Sequence, residues 1–148
     1  MGSITKNIRQ IDRIKRAMIT FIVGLPGSGK SCLGKEMTNE NTVFLDDISI
    51  LGIDAVVKNK DKDLVISDVY LCLDNERKKA VNVINKLIPD CKINWIYFEN
   101  NPGQCLKNVE RRKKDGDDRH VEELVKQLSK DYKPQENIRK VWCEHETN

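Results

Sequence analysis

The chain has 148 residues, with 26 Lys plus Arg against 23 Asp plus Glu and a formal net charge of +3. That length suits one domain, and so small an excess is no argument for nucleic acid unless the charges cluster. Hydrophobic residues make up 39% and charged residues 33%, which is polar for a globular protein but too rich in Ile, Val and Leu for disorder. No apolar run approaches the roughly 18 residues that span a bilayer. The start lacks the apolar stretch of a secretory signal, so a cytoplasmic protein with no membrane partner is expected. Cys32, Cys72, Cys91, Cys105 and Cys143 are widely spaced with no CxxC pair, which predicts free thiols rather than a zinc site or a disulfide framework.

Residues 1–16 carry scattered Ile at 4, 8, 11 and 14 and read as an N-terminal arm or short amphipathic helix. A single domain is expected over 17–148. Ala17 to Val23 is a nearly continuous apolar run ending at Gly24, the pattern of a strand buried on both faces of a parallel sheet. Residues 29–39 look helical. Thr42 to Leu45 and Leu64 to Ser67 are short strand candidates that end on Asp46-Asp47 and on Asp68. Asp74 can cap a helix over 75–88, whose stripe is Ala80, Val83, Ile84 and Leu87. Ile93 to Phe98 is a fourth strand. Asn101-Pro102 opens a helix running to about Arg112, residues 113–118 are a charged break, and His120 to Tyr132 is a last helix. Ile138 to Cys143 is a candidate edge strand. This alternation predicts an α/β fold with a mostly parallel central sheet flanked by helices.

Residues 24–31, GLPGSGKS, match GxxxxGK[ST] at every fixed position and lie between a predicted strand and a predicted helix. Glycines let the backbone wrap so that its N–H groups face phosphate oxygens, and the helix N-terminus adds partial positive charge. Gly24, Pro26, Gly27, Ser28, Gly29, Lys30, Ser31 and Cys32 are therefore the candidate nucleotide cradle. Lys30 is expected to reach the β- and γ-phosphates, and Ser31 to ligate Mg²⁺. ATP or another nucleoside triphosphate, with Mg²⁺, is the expected ligand. Asp68 closes an apolar strand as a metal-positioning acid does, although an acid there also suits a helix cap or turn. Asp46 and Asp47 are either acceptor-side acids or a capping pair. Lys107, Arg111, Arg112, Lys113 and Lys114 form either a solvated helix face or a lid over 105–120.

Together these segments resemble the kinase domain of bacteriophage-type 5′-hydroxyl polynucleotide kinases, within the P-loop kinases. The resemblance rests on GLPGSGKS, on Asp46-Asp47, on VISD at 65–68 followed by Asn75-Glu76-Arg77, and on CLKNVERR at 105–112. It implies a three-layer P-loop NTPase fold with a helical lid. It also implies γ-phosphoryl transfer to a hydroxyl, with Asp46 as general base, Arg112 as the lid arginine, and Ser31 and Asp68 at the metal. A DNA or RNA 5′-hydroxyl end is the acceptor so implied. A nucleoside, nucleotide or other small metabolite is the alternative, and a regulatory ATPase the third reading. The chain departs from that family at Ser49, where an arginine contacting the acceptor's phosphate is usual, and at Val69-Tyr70 after the strand-ending acid. It carries no DxDxT phosphatase signature.

Overall fold

The structure, a computed structural model, describes residues 17–117 and 119–143. The arm expected over 1–16 lies outside these residues. At the centre is strand β1 (Met18–Val23), buried over five of its six residues. It is flanked by β3 (Asp63–Ser67) and β4 (Lys92–Phe98), with β2 (Thr42–Leu45) and β5 (Ile138–Arg139) at the edges. The order is β2-β3-β1-β4-β5 and every pairing is parallel. The apolar run of β1 is thus what a strand hydrogen-bonded on both sides and covered on both faces requires.

Period-two alternation divides β1 between two layers. Ile22 faces helix α1 (Lys30–Met37), packing with Leu33, Val65 and Phe98. Ile19, Phe21 and Val23 belong to the larger core on the other face, with Leu64, Ile66, Ile84 and Ile88. Register puts Phe21 beside Trp95, and their rings stack with centroids 4.5 Å apart. Helix α4 (Asp74–Leu87) supplies Ile84 to that core. Helices α5 (Pro102–Lys114) and α6 (Glu122–Ser129) add Cys105, Val109, Val125 and Leu128.

The sequence-based boundaries shift where tertiary contacts intervene. Asp74, expected as a cap, is the first residue of α4 and Leu73 holds the cap position. The Asp74 carboxylate instead pairs with Lys78 at 3.2 Å, one turn on. That hydrogen bond holds its carboxyl below the usual carboxylate range. Asn101 does cap α5, its side-chain oxygen accepting from the Gln104 N–H at 3.1 Å. Two short helices were not expected at all: α2 (Ile48–Leu51) and α3 (Ile53–Lys58), divided at Gly52 with φ 81°. Their apolar residues crowd together rather than spacing by helical turns, which hides the period. The final helix is shorter than expected because Tyr132 leaves it to donate its hydroxyl to the Val23 and Phe98 carbonyls.

The edge strand expected over 138–143 pairs only through Ile138 and Arg139. Beyond it the chain crosses toward the 24–31 loop. The Val141 N–H donates to Glu99 and the Trp142 N–H donates to the Ser28 carbonyl, both at 3.1 Å. The five cysteine thiols are free. Among the described residues, no helix is long and apolar enough to cross a membrane.

Candidate active site

In a parallel sheet all strands end on one side, so Val23, Leu45 and Ser67 deliver their following residues to one crevice. The 24–31 loop leaves β1 and returns as α1. Gly27 and Gly29 adopt φ of 85° and 110°. A Cβ on Gly27 would stand 2.6 Å from the Cys105 carbonyl oxygen, so the loop's approach to α5 demands glycine there. Lys30 is buried, and its Nζ donates to the Gly24 and Leu25 carbonyls at 2.9 Å each. Burial lowers its pKa.

Strand register assembles the acids. Leu45 lies opposite Ile66, which brings Asp46 beside Ser67. The Ser67 hydroxyl donates to Asp46 Oδ1 and the Ser31 hydroxyl to Asp46 Oδ2, both at 2.7 Å. Asp68 is only 3% exposed. Its two oxygens accept from the Ser49 and Tyr70 backbone N–H groups, at 2.8 Å each. Asp68 therefore ties α2 to the 3₁₀ turn over Val69–Cys72. Between them, Asp47 takes the left-handed conformation at φ 52°, ψ 56°. Partial burial raises its carboxyl pKa, and the neighbouring Asp46 and Asp68 charges raise it further.

Lys30, Ser31, Asp46 and Asp47 border a cavity of about 350 Å³. Pro26, Gly27, Gly29, Lys30 and Ser31 line it from the loop, and Asp46 and Asp47 from the strand end. Gly24 and Ser28 lie outside that lining, Ser28 fully buried, and Cys32 is exposed. Asp68 lies outside it as well, on an adjoining cavity. The basic cluster divides. Arg112 lines the site, Lys113 is ion-paired with Glu122, and Lys107, Arg111 and Lys114 are exposed.

Two contributors escaped sequence reasoning. Arg119 also lines the cavity, held by Asp117 through Nη2 at 2.8 Å and Nε at 3.1 Å. This clasp pulls the Asp117 carboxyl down to about 2. The Asp-x-Arg spacing was the available signal, since an Asp readily bonds the backbone two residues on, and here it accepts from the Arg119 N–H at 3.0 Å. Asn108, on the inner face of α5, donates to the Gly27 and Trp142 carbonyls at 2.8 Å each. Nothing local marks it.

No family model matches the sequence. The chain is 36% identical over 121 residues to Uncharacterized protein R277 of Acanthamoeba polyphaga mimivirus, covering 77% of this chain and 85% of that protein. The chain belongs to the family of that viral protein. Among solved structures it is similar to a gluconokinase from Sinorhizobium meliloti 1021, with TM-score 0.53, 12% identity and coverage of 86% of this chain and 81% of that one. It is also similar to APE1195, with TM-score 0.52, 14% identity and coverage of 90% and 88%. At such identities the likeness is one of fold. The expected α/β architecture, a parallel sheet flanked by helices, is the fold of this chain.

Proposed function

We propose that the protein is a nucleoside-triphosphate-dependent phosphotransferase that moves the γ-phosphoryl group to a hydroxyl. The observation that carries this reading is the 2.7 Å bond between Ser31 and Asp46 at the mouth of the 24–31 loop, in a cavity shared with Lys30, Arg112 and Arg119. A hydroxyl and a carboxylate side by side are the hard oxygen donors that Mg²⁺ prefers. Among the described residues no three His, Cys, Asp or Glu side chains gather as a complete metal cage. This suits an ion that takes its remaining oxygens from nucleotide and water. When bound, the metal nucleotide supplies the activated phosphoryl group and screens its charge.

The chain's own groups divide the remaining work. Ser31 and Asp46 hold the metal side. Lys30, released from the Gly24 and Leu25 carbonyls, turns its ammonium to the phosphates. Arg112 and Arg119 bring positive charge over the transferring group, where charge develops. Asp47 takes the acceptor's proton. Its raised pKa brings it closer to neutral pH than an ordinary aspartate, which is what proton abstraction favours. Asp68, with both oxygens engaged by backbone amides, positions Ser49 and Tyr70 rather than the metal. These assignments move the base from Asp46 to Asp47 and the metal carboxylate from Asp68 to Asp46, relative to those implied by the polynucleotide kinase resemblance.

Transfer of γ-labelled phosphate from ATP, titrated with Mg²⁺, tests this. Lys30→Ala should abolish transfer, and full activity in that variant overturns the reading. Asp46→Asn should raise the Mg²⁺ requirement. Asp47→Asn should cut kcat by about 100-fold or more with the Mg²⁺ requirement unchanged. The opposite pattern in the two variants restores Asp46 as base. Labelled phosphate passing to water alone would make the protein an ATPase.

A further inference from the structure

Beside the phosphate-side crevice lies a larger cavity of about 530 Å³, within the range of small-molecule sites. It is bounded by α2 and α3, by Phe21 and Ile66 on the sheet face, and by α4. Ser49 and Tyr70 line both spaces, so a molecule in this cavity presents its end to Asp47 and the transferring phosphate. Resting on the phosphotransferase reading above, we infer that the acceptor is an uncharged nucleoside rather than a phosphorylated molecule or a polynucleotide.

The walls carry the argument. Ile48, Ile53, Val56, Ala80, Val83 and Ile84 make most of the lining apolar. Among the described residues three acidic or basic side chains line it, Asp68, Glu76 and Lys79. Both Asp68 oxygens accept backbone amides. The largely exposed Lys79 ammonium lies 3.3 Å from the Glu76 carboxylate, so this cation faces solvent and a counter-charge rather than the apolar walls. Among the described residues no arginine lines the cavity. A phosphate drawn against these apolar walls would lose water with no arginine there to replace it. A strand bearing a charge every 3.4 Å or so would repeat that loss along its length.

A nucleoside meets these walls differently. Its flat base has two apolar faces for Ile53, Val56 and Val83, and polar edges for Glu76 and Lys79. Two large apolar side chains on the lining are left open to water, Ile53 at 53% and Tyr70 at 46% exposure, and a ring covering them would bury that surface. The acceptor 5′-oxygen then forms its bond to the γ-phosphorus as the bridging P–O bond breaks. The electron pair of that bond leaves on the β-phosphate, the acceptor proton passes to Asp47, and the products are a nucleoside monophosphate and the nucleoside diphosphate.

The test offers the full chain γ-labelled ATP, Mg²⁺ and matched acceptors with the same 5′-hydroxyl: adenosine, guanosine, cytidine, uridine and thymidine, their 3′-monophosphates, and a 5′-hydroxyl oligonucleotide. At least one nucleoside should exceed its 3′-monophosphate and the oligonucleotide by about 100-fold in kcat/KM. Ile53→Arg, a change at an exposed position, should narrow that ratio about tenfold or more by giving the added phosphate a partner. Equal or better labelling of the 3′-monophosphates or the oligonucleotide overturns this inference and leaves the phosphotransferase reading standing. A preference untouched by Ile53→Arg overturns the assignment of this cavity. Absence of label on every acceptor overturns this inference, and label passing to water alone overturns the phosphotransferase reading as well.

Discussion

Asp47 stands beside Asp46 and Asp68 in a left-handed backbone conformation that few residues other than Gly, Asn and Asp adopt readily. Burial and the two neighbouring charges disfavour its ionised form, so its folded pKa lies above the unfolded one. Such a group costs the native state stability above its folded pKa, and the cost fades as pH falls through that value toward about 4. Asp47→Asn keeps the backbone preference and removes the charge. It should raise Tm at pH 7, with the gain disappearing in melts below about pH 4, while turnover falls as described above. An equal Tm gain at both pH values would mean that charge is not the cause. Asp68, by contrast, has both oxygens engaged by the Ser49 and Tyr70 backbone N–H groups. The same residue type thus does different work at adjoining strand ends, and the neighbours decide which.

Helix α1 meets the sheet through a glycine whose role no local pattern reveals. A Cβ on Gly34 would come within 2.3–2.5 Å of the Phe44 ring on β2, and an aromatic ring cannot give way as a flexible chain would. Gly34→Ala gains about 1 kcal/mol of helix propensity but should lose about 1–3 kcal/mol to overpacking, for a net loss in urea melts. Gly103 in α5 is the control. Its nearest neighbour to an added Cβ is Asn101 Oδ1 at 3.8 Å, so Gly103→Ala should stabilise by up to about 1 kcal/mol. If both variants shift the midpoint the same way, packing against Phe44 is not what keeps Gly34. The elements most easily read from the chain were those with one dominant local cause. The buried run of β1 and the Asn101-Pro102 start of α5 are examples. The α2–α3 pair escaped because its helices are too short for a period to develop and α2 is held by Asp68, at the end of another strand.

Across the molecule, Asn108 joins three distant segments: α5, the 24–31 loop through the Gly27 carbonyl, and the C-terminal segment through the Trp142 carbonyl. Asn108→Ala leaves two carbonyls short of a donor and should cost about 1–3 kcal/mol. Faster hydrogen exchange at the Trp142 amide, which bonds Ser28, would accompany it. Unchanged exchange there would mean the segment holds without Asn108. The strand–helix alternation and the GLPGSGKS loop were open to a linear reading because each depends on neighbours in the chain. A strand buried on both faces must be apolar throughout, and a loop that wraps a phosphate needs glycines at fixed intervals. The pairing of Ser31 with Asp46, the commitment of Asp68 to backbone amides and the apolar wall beside them were not open to it. They depend on strand order and register, which bring Ser31 to Asp46, 15 residues on, and Asp68 to Ser49, 19 residues back, within hydrogen-bonding distance. No spacing along the chain encodes which of three similar aspartates a fold will commit to backbone amides.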